Sequence, residues 1–207
     1  MRIGIVGSGN VGGTLGRRFA QAGHSVAFGS RHPDSPEMKE LSRIPGARVT
    51  SPAEAAQASE AIVLATPWPA TAEAIRGLGD LTGKVLLDCT NPLKPKLDGL
   101  EVGNTSSGGE QVAQWASGAR VVKIFNSIGY NIMENPAFGA ESATLFYCGD
   151  DAAAKAVARD LAAEIGFDPV DAGPLAQARL LEPFALLWIS LAFGGHGREI
   201  AFRLMRR

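Results

Sequence analysis

Gly7-Ser8-Gly9-Asn10-Val11-Gly12 is a stretch whose residue types and spacing could do chemistry. Glycines at the first, third and sixth places free the backbone to turn sharply and to point its N–H groups at an anion. Gly7 permits the tight turn, and Gly9 lets the backbone approach a pyrophosphate. Gly12 lets the following helix pack close to the preceding strand, so that its N-terminal dipole faces the anion. Ser8, Asn10 and Val11 complete the loop as candidate contacts. A glycine-rich turn with no ligand is the competing reading, and the strand–turn–helix setting argues against it.

A second chemical signal stands further along, at Gly29-Ser30-Arg31. An NAD-binding unit of this kind usually places an acid here to accept hydrogen bonds from the ribose hydroxyls. A carboxylate would repel a 2′-phosphate, whereas a hydroxyl and a guanidinium would bind it. Arg31 can offer two parallel N–H donors to phosphate oxygens, and His32 could add to them. A solvated loop arginine is the alternative. The residues therefore favour NADP(H) over NAD(H).

These groups need a scaffold. Short β-branched runs alternate with alanine-rich stretches, which predicts an α/β fold with a doubly wound, mainly parallel Rossmann-type sheet. Strands are expected over 2–6, 25–29, 61–65, 84–89, 120–125 and 143–148, and helices over 11–22 and about 69–78. Ser51-Pro52-Ala53-Glu54 is a capping box with a first-turn proline, and Ser107-Gly108-Gly109-Glu110 is a second candidate. Asp150-Asp151 opens a helix through Ile165 with acids at its positive end. Residues 1–173 read as the nucleotide-binding domain, and 174–207 as a C-terminal helical extension. From Phe184 to Phe193 that extension is apolar nearly all round, so it needs cover on more than one side. A second copy of the chain is the natural cover, which predicts a homodimer.

Basic residues number 20 and acidic residues 21, for a net charge of −1, so charge offers no argument for nucleic acid or an anionic membrane. Cys89 and Cys148 lie inside apolar runs and read as small buried hydrophobes in a reducing compartment. No leader is expected, because Met1-Arg2 leads straight into a strand. The apolar run 183–193 is interrupted by Ser190 and is too short to span a bilayer. A soluble, cytoplasmic protein is the expectation.

Several segments together resemble the coenzyme F420-dependent NADP oxidoreductase family, whose fold also forms the reductase domain of the STEAP metalloreductases. They are Gly7 to Gly12, Gly29-Ser30-Arg31, Ala65-Thr66-Pro67-Trp68, Asp88-Cys89-Thr90-Asn91-Pro92, Val122-Lys123-Ile124-Phe125-Asn126-Ser127, Cys148-Gly149-Asp150-Asp151 and Asp171-Ala172-Gly173-Pro174-Leu175 with Arg179-Leu180. The resemblance implies hydride transfer between nicotinamide and a deazaflavin or flavin ring. Carried over, Ser30 and Arg31 would hold the 2′-phosphate. Thr66, Pro67 and Trp68 would line the nicotinamide half, together with Asn91 and Pro92. Members can carry a further basic residue near the place of Ser35; here Lys39 comes only later. Asp88 to Pro92 and Lys123 to Asn126 look more like the metalloreductase domain, which bears on the second substrate and not on NADP(H).

Hydride transfer between two rings needs little protein acid–base chemistry, so no catalytic residue is named. His24, His32 and His196 read as surface or capping histidines, although His196 could reach a neighbouring site. Asn91 and Asn126 would either bond a ring or carboxamide, or satisfy turn backbone. Trp68 would either wall the nicotinamide pocket or pack on the core, while Trp115 and Trp188 read as packing. Lys84, Lys94, Lys96 and Lys123 show no metal or phosphate-loop spacing, and no metal cluster is expected. The leading expectation is an NADP(H)-dependent oxidoreductase acting on coenzyme F420 or a flavin-like small-molecule acceptor. A soluble flavin or ferric-chelate reductase and a non-enzymatic NADP(H) sensor are the alternatives. A β-hydroxyacid dehydrogenase needs a large helical second domain, which the residues after Gly173 cannot form.

Overall fold

Strands covered on both faces need apolar residues at nearly every position. Runs such as Ile3-Gly4-Ile5-Val6 and Ala61-Ile62-Val63-Leu64 supply them, and every one of these side chains is buried. The structure, a computed structural model, describes all 207 residues. In chain order the first half comprises β1 (Arg2–Val6), α1 (Asn10–Gln21), β2 (Ser25–Gly29), α2 (Pro36–Leu41), β3 (Ala47–Thr50), α3 (Pro52–Gln57), β4 (Ala61–Leu64), α4 (Trp68–Arg76) and β5 (Val85–Asp88). The second half comprises α5 (Gly108–Trp115), β6 (Arg120–Lys123), α6 (Tyr130–Glu134), β7 (Ala137–Phe138), β8 (Glu141–Ser142), β9 (Thr144–Gly149), α7 (Ala152–Glu164), β10 (Asp168–Asp171) and α8 (Ala178–Leu191).

Eight strands form one sheet in the order β10-β9-β6-β5-β4-β1-β2-β3, and β7-β8 is a separate hairpin. The six strands from β3 to β6 are all parallel, in the 3-2-1-4-5-6 order of a Rossmann fold. Strand β9 runs antiparallel to β6, and β10 pairs parallel with β9. The two-residue period of the strands sends Ile3, Ile5, Val63 and Leu87 into a layer with Leu15 and Phe19 of α1 and Leu161 of α7. Val6, Ile62, Leu64 and Leu86 face the opposite layer, with Ile75 of α4, Val112 of α5 and Leu181 of α8.

The predicted caps form with one difference. Ser51 and Glu54 make the full box at α3 behind Pro52, an arrangement worth about 1 kcal/mol. Hydrogen bonds from the Thr50 and Ser51 hydroxyls hold the Glu54 carboxyl down at about 2. Asp151 caps α7 by accepting from Ala154 N at 2.7 Å. At α5, Ser107 Oγ accepts from Glu110 N at 3.1 Å and donates to Glu110 Oε2 at 2.7 Å, but the Glu110 carboxylate takes Arg179 at 2.6 and 2.9 Å in place of the Ser107 backbone N–H. An arginine offering two parallel donors outcompetes one backbone N–H for that carboxylate.

The tail departs from the expected continuous helix. Helix α8 ends at Leu191, a π-helical turn covers Ala192–His196, and residues 197–207 form no helix or strand. Gly195 (φ +113°) and Gly197 (φ +73°) adopt left-handed backbone that ends a helix. The tail then returns to the sheet edge, where Thr144 N donates to Phe202 O at 3.0 Å and Trp188 Nε1 to Ile200 O at 2.8 Å. With its leading 3₁₀ turn, the helical run Leu175–His196 reaches 22 residues, with an 18-residue stretch at a mean hydropathy of 1.2, longer than the apolar run alone suggested. It is docked on α5 and carries the fully buried Glu182 at its centre.

Candidate functional site

The strand order reverses between β1 and β4, and ligands of open α/β sheets collect at such a switch point. Gly7 stands there with φ +96°; a Cβ on it would lie 2.5 Å from the Ala65 carbonyl oxygen. Gly12 is tighter still, since a Cβ there would lie 1.8 Å from Gly7 O. Gly9 is the opposite case, with open space around the position of a Cβ. Helix α1 therefore begins on Gly9 with no side-chain cap and no acid in its first turn. Its first N–H groups face an open region with positive partial charge, as an anion site requires. Ser8 sits in the loop, and Asn10 and Val11 open the helix.

A cleft of about 690 Å³ runs from this loop across the strand ends. Gly7 and Ser8 lie on one side; Ser30, Arg31, His32 and Ser35 line another wall; Thr66 and Pro67 line a third. Ser30 Oγ accepts from His32 N at 3.0 Å, which folds the loop so that Arg31 stands out into solvent. Arg31 makes no ion pair with any carboxylate of the chain. Its donors remain free for a ligand, although the exposed Glu37 and Glu73 also line the cleft. Ser35 doubles as the cap of α2, accepting from Met38 N at 3.3 Å. At the end of β2 a Cβ on Gly29 would lie 2.8 Å from Pro52 Cα, so no acidic side chain fits there.

Asn91, Pro92 and Trp68 follow the ends of neighbouring strands but do not line that cleft. Trp68 turns toward α5 and packs on Trp115, with ring centroids 5.3 Å apart. Asn91 Nδ2 donates to Asn126 O at 2.7 Å, and Asn126 Nδ2 donates back to Asn91 Oδ1 at 3.1 Å. The Asn126 Oδ1 atom is buried with no partner, and the preceding Phe125 holds a left-handed φ of +63°. Such backbone is costly for a bulky residue.

Beneath this amide pair lies a cluster that the sequence reading passed over. Lys123 is fully buried, with Nζ 2.8 Å from Asp88 Oδ2, from Glu182 Oε1 and from the Thr90 carbonyl. Burial works to lower its pKa, but the two carboxylates overcome this and leave it above the usual lysine value. The available signal was a lysine within the run Val121-Val122-Lys123-Ile124-Phe125, a place where a buried charge needs partners. Elsewhere His24 bonds Glu164 at 2.6 Å and the N-terminal amine at 3.0 Å, a structural role away from the cleft. Both cysteines are buried; burial pushes the Cys89 thiol well up and the Cys148 thiol to about 12. Neither is an available thiolate.

The model of the family described as NADP oxidoreductase, coenzyme F420-dependent, matches residues 2–92. A solved structure from Arthrobacter sp. FB24, provisionally named an F420-dependent NADP reductase, is 32% identical and superposes at a TM-score of 0.90, with both chains covered over 100% of their length. The chain belongs to the F420-dependent NADP oxidoreductase family. It is thereby an NADP-dependent oxidoreductase with a Rossmann-type fold. The F420-dependent NADP reductase of Methanothermobacter thermautotrophicus is 28% identical, over 99% of this chain and 94% of that protein. Rat metalloreductase STEAP3 is 32% identical over 89% of this chain, which spans only 36% of the metalloreductase. The residues in and beside the cleft fit the family's cofactor: an uncapped helix start, a loop with open space at Gly9, and an unpaired guanidinium two residues after Gly29, where no acidic side chain fits.

Proposed function

We propose that this family member passes hydride between NADPH and a deazaflavin (coenzyme F420) or a flavin-like acceptor. The observation that carries the reading is one cleft that sets Gly7 and Ser8, the loop leading into the uncapped start of α1, opposite the free Arg31. Backbone N–H groups of Gly9 to Gly12 would hold the pyrophosphate, with Ser8 at their edge. Ser30 and Arg31 would hold the 2′-phosphate, with Ser35 and His32 beside them. Thr66 and Pro67 would guide the cofactor toward the strand ends at Asn91 and Pro92. Bound NADPH would supply the hydride, and the protein's part is to align the two rings and keep water out. No general acid is needed for this.

Purified protein mixed with NADPH and oxidised F420 is expected to bleach the deazaflavin absorbance band, with NADH much slower. Tight NADPH binding without bleaching would remove F420 and leave FMN, FAD and ferric chelates. The 32% identity to STEAP3 favours those acceptors as the second reading. Binding with no turnover on any of them would leave an NADP(H) sensor.

A homodimer in the cytoplasm is part of the proposal. Leu180 (66% exposed), Leu187 (49%) and Phe193 (68%) leave apolar surface on α8 and the turn after it. Covering a leucine this exposed is worth about 1 to 2 kcal/mol. Leu187→Glu is therefore expected to shift the light-scattering mass from dimer to monomer; a wild-type mass of one chain would overturn the dimer. Residues 174–207 would then act as the extension that carries this contact.

A further inference from the structure

We infer that Lys123 is a positioning residue for the nicotinamide half of the site, at the strand ends beside the cleft, acting through Thr90 and the Asn91–Asn126 pair. The inference rests on the proposed reading of Asn91 as part of the nicotinamide half. Lys123 Nζ has three protons and three acceptors, each at 2.8 Å: Asp88 Oδ2, Glu182 Oε1 and Thr90 O. Its position is therefore fully specified. Asp88 holds the same loop from the other side, since its Oδ1 accepts from Thr90 N at 2.9 Å and from Thr90 Oγ1 at 2.7 Å. Thr90 is thus gripped by its N–H, its hydroxyl and its carbonyl, immediately before Asn91.

The other half of the pair hangs from the same lysine. The chain leaves Lys123 through Ile124, turns at the left-handed Phe125, and presents Asn126. Phe125 is buried against Phe19 and Phe167, at 6.3 and 6.0 Å between ring centroids, which holds the unfavourable φ in place. Glu182 ties in the C-terminal helix, accepting from Gly108 N at 2.8 Å and Gly109 N at 2.9 Å besides Lys123. Asn126 Nδ2 also donates to Leu181 O at 3.1 Å. A Cβ on Gly108 would lie 3.0 Å from Glu182 Oε1 and 3.1 Å from both Pro92 Cδ and Trp68 Cζ3. The cluster therefore lies directly under the residues assigned to the nicotinamide half. Strain and buried charge together at one end of a sheet are the pattern of a site whose geometry is over-determined. It follows that the seating of α8 is felt at the amide pair, and that α8 is more than a dimer contact.

The test compares two ligands by calorimetry. NADP⁺ carries the nicotinamide; 2′-phospho-ADP-ribose lacks it and keeps every contact of the adenosine half. Glu182→Gln preserves the volume and leaves Lys123 bound to Asp88 and Thr90, so it is the variant expected to fold. Lys123→Met, which strips the cluster of its cation, is the severe one. In Glu182→Gln the affinity for NADP⁺ is expected to fall about fivefold while the fragment stays within about twofold. In Lys123→Met, where it folds, the NADP⁺ loss is expected to exceed about tenfold, again with the fragment spared. Equal losses for both ligands, or none in Glu182→Gln, would reduce the cluster to a fold-stabilising lock and overturn the inference. If the wild-type protein itself binds NADP⁺ no more tightly than the fragment, and Asn91→Ala changes nothing, the nicotinamide reading falls and takes the inference with it.

Discussion

Gly12→Ala is expected to melt at least about 6 °C below the wild-type protein and to lose measurable NADP⁺ binding. The added Cβ would stand 1.8 Å from Gly7 O and 3.0 Å from Ile5 Cγ2. Neither neighbour can yield cheaply. Gly7 O belongs to a backbone already held by the φ of +96° and by the Ala65 carbonyl, and Ile5 is fully buried. The start of α1 must move off β1 instead. Overpacking of this kind costs on the order of 3 kcal/mol, and about 2–4 °C per kcal/mol applies to a chain of this size. Moving that helix start also removes the N–H groups that would hold the pyrophosphate. Gly9→Ala separates the two effects, because its Cβ has open space and its φ of −64° suits alanine. It is expected to melt within about 2 °C of wild type and to bind NADP⁺ at least tenfold more weakly, since its methyl fills the space left for the anion. Normal melting and binding in Gly12→Ala would show that the helix does not depend on that close approach.

The parallel part of the fold was legible because its determinants are local. A strand covered on both faces must be apolar at successive positions, so β1, β2, β4, β5, β6 and β9 announce themselves. The elements β3, β10 and α2 do not. Strand β3 has only four residues, none of them fully buried, and β10 carries Pro169, a residue that a strand accepts only at an edge. Helix α2 has six residues and rests on the cap signal Ser35-Pro36. The antiparallel direction of β9 is a tertiary fact, decided by how α6 and the β7-β8 hairpin return the chain to the sheet. At the C terminus the apolar composition suggested helix throughout, but Gly194-Gly195-His196-Gly197 ends it. Beyond that, the tail satisfies the backbone of β9 instead of its own.

The site divides in the same way. The phosphate loop and Arg31 could be read because each signal lies within one short segment, in residue types and spacing that need no distant partner. The cluster around Lys123 could not, since Asp88, Lys123 and Glu182 come from β5, β6 and α8, and no spacing links them. What the sequence did carry was the anomaly of a lysine inside an otherwise apolar strand end. A buried lysine left without partners would cost several kcal/mol, so the anomaly itself predicts carboxylates nearby. Trp68 was open between two roles, and its stacking on Trp115 depends on the approach of α5 to α4.

Arg31→Ala is expected to leave folding untouched and to erase most of the preference for NADPH over NADH. Arg31 is exposed and forms no ion pair within the chain, so its truncation should change stability by less than about 0.5 kcal/mol. Against a 2′-phosphate it would make charge-assisted bonds worth about 1.5 to 3 kcal/mol, which is roughly 10- to 150-fold in affinity. The loss should fall on NADPH alone, because NADH has no group for the guanidinium to meet. It should also shrink as salt rises, since an exposed pair is screened within about 10 Å at 0.1 M. Arg31→Lys keeps the charge but loses the planar pair of donors, and is expected to lie between wild type and alanine. Arg31→Glu goes further by setting a carboxylate beside the phosphate, and NADH should then bind at least as well as NADPH. Titration of each variant with both nucleotides measures this directly. A preference for NADPH that survives Arg31→Ala within about threefold would place 2′-phosphate recognition on Ser30, His32 and the backbone of their turn, and the guanidinium would be a solvated loop group.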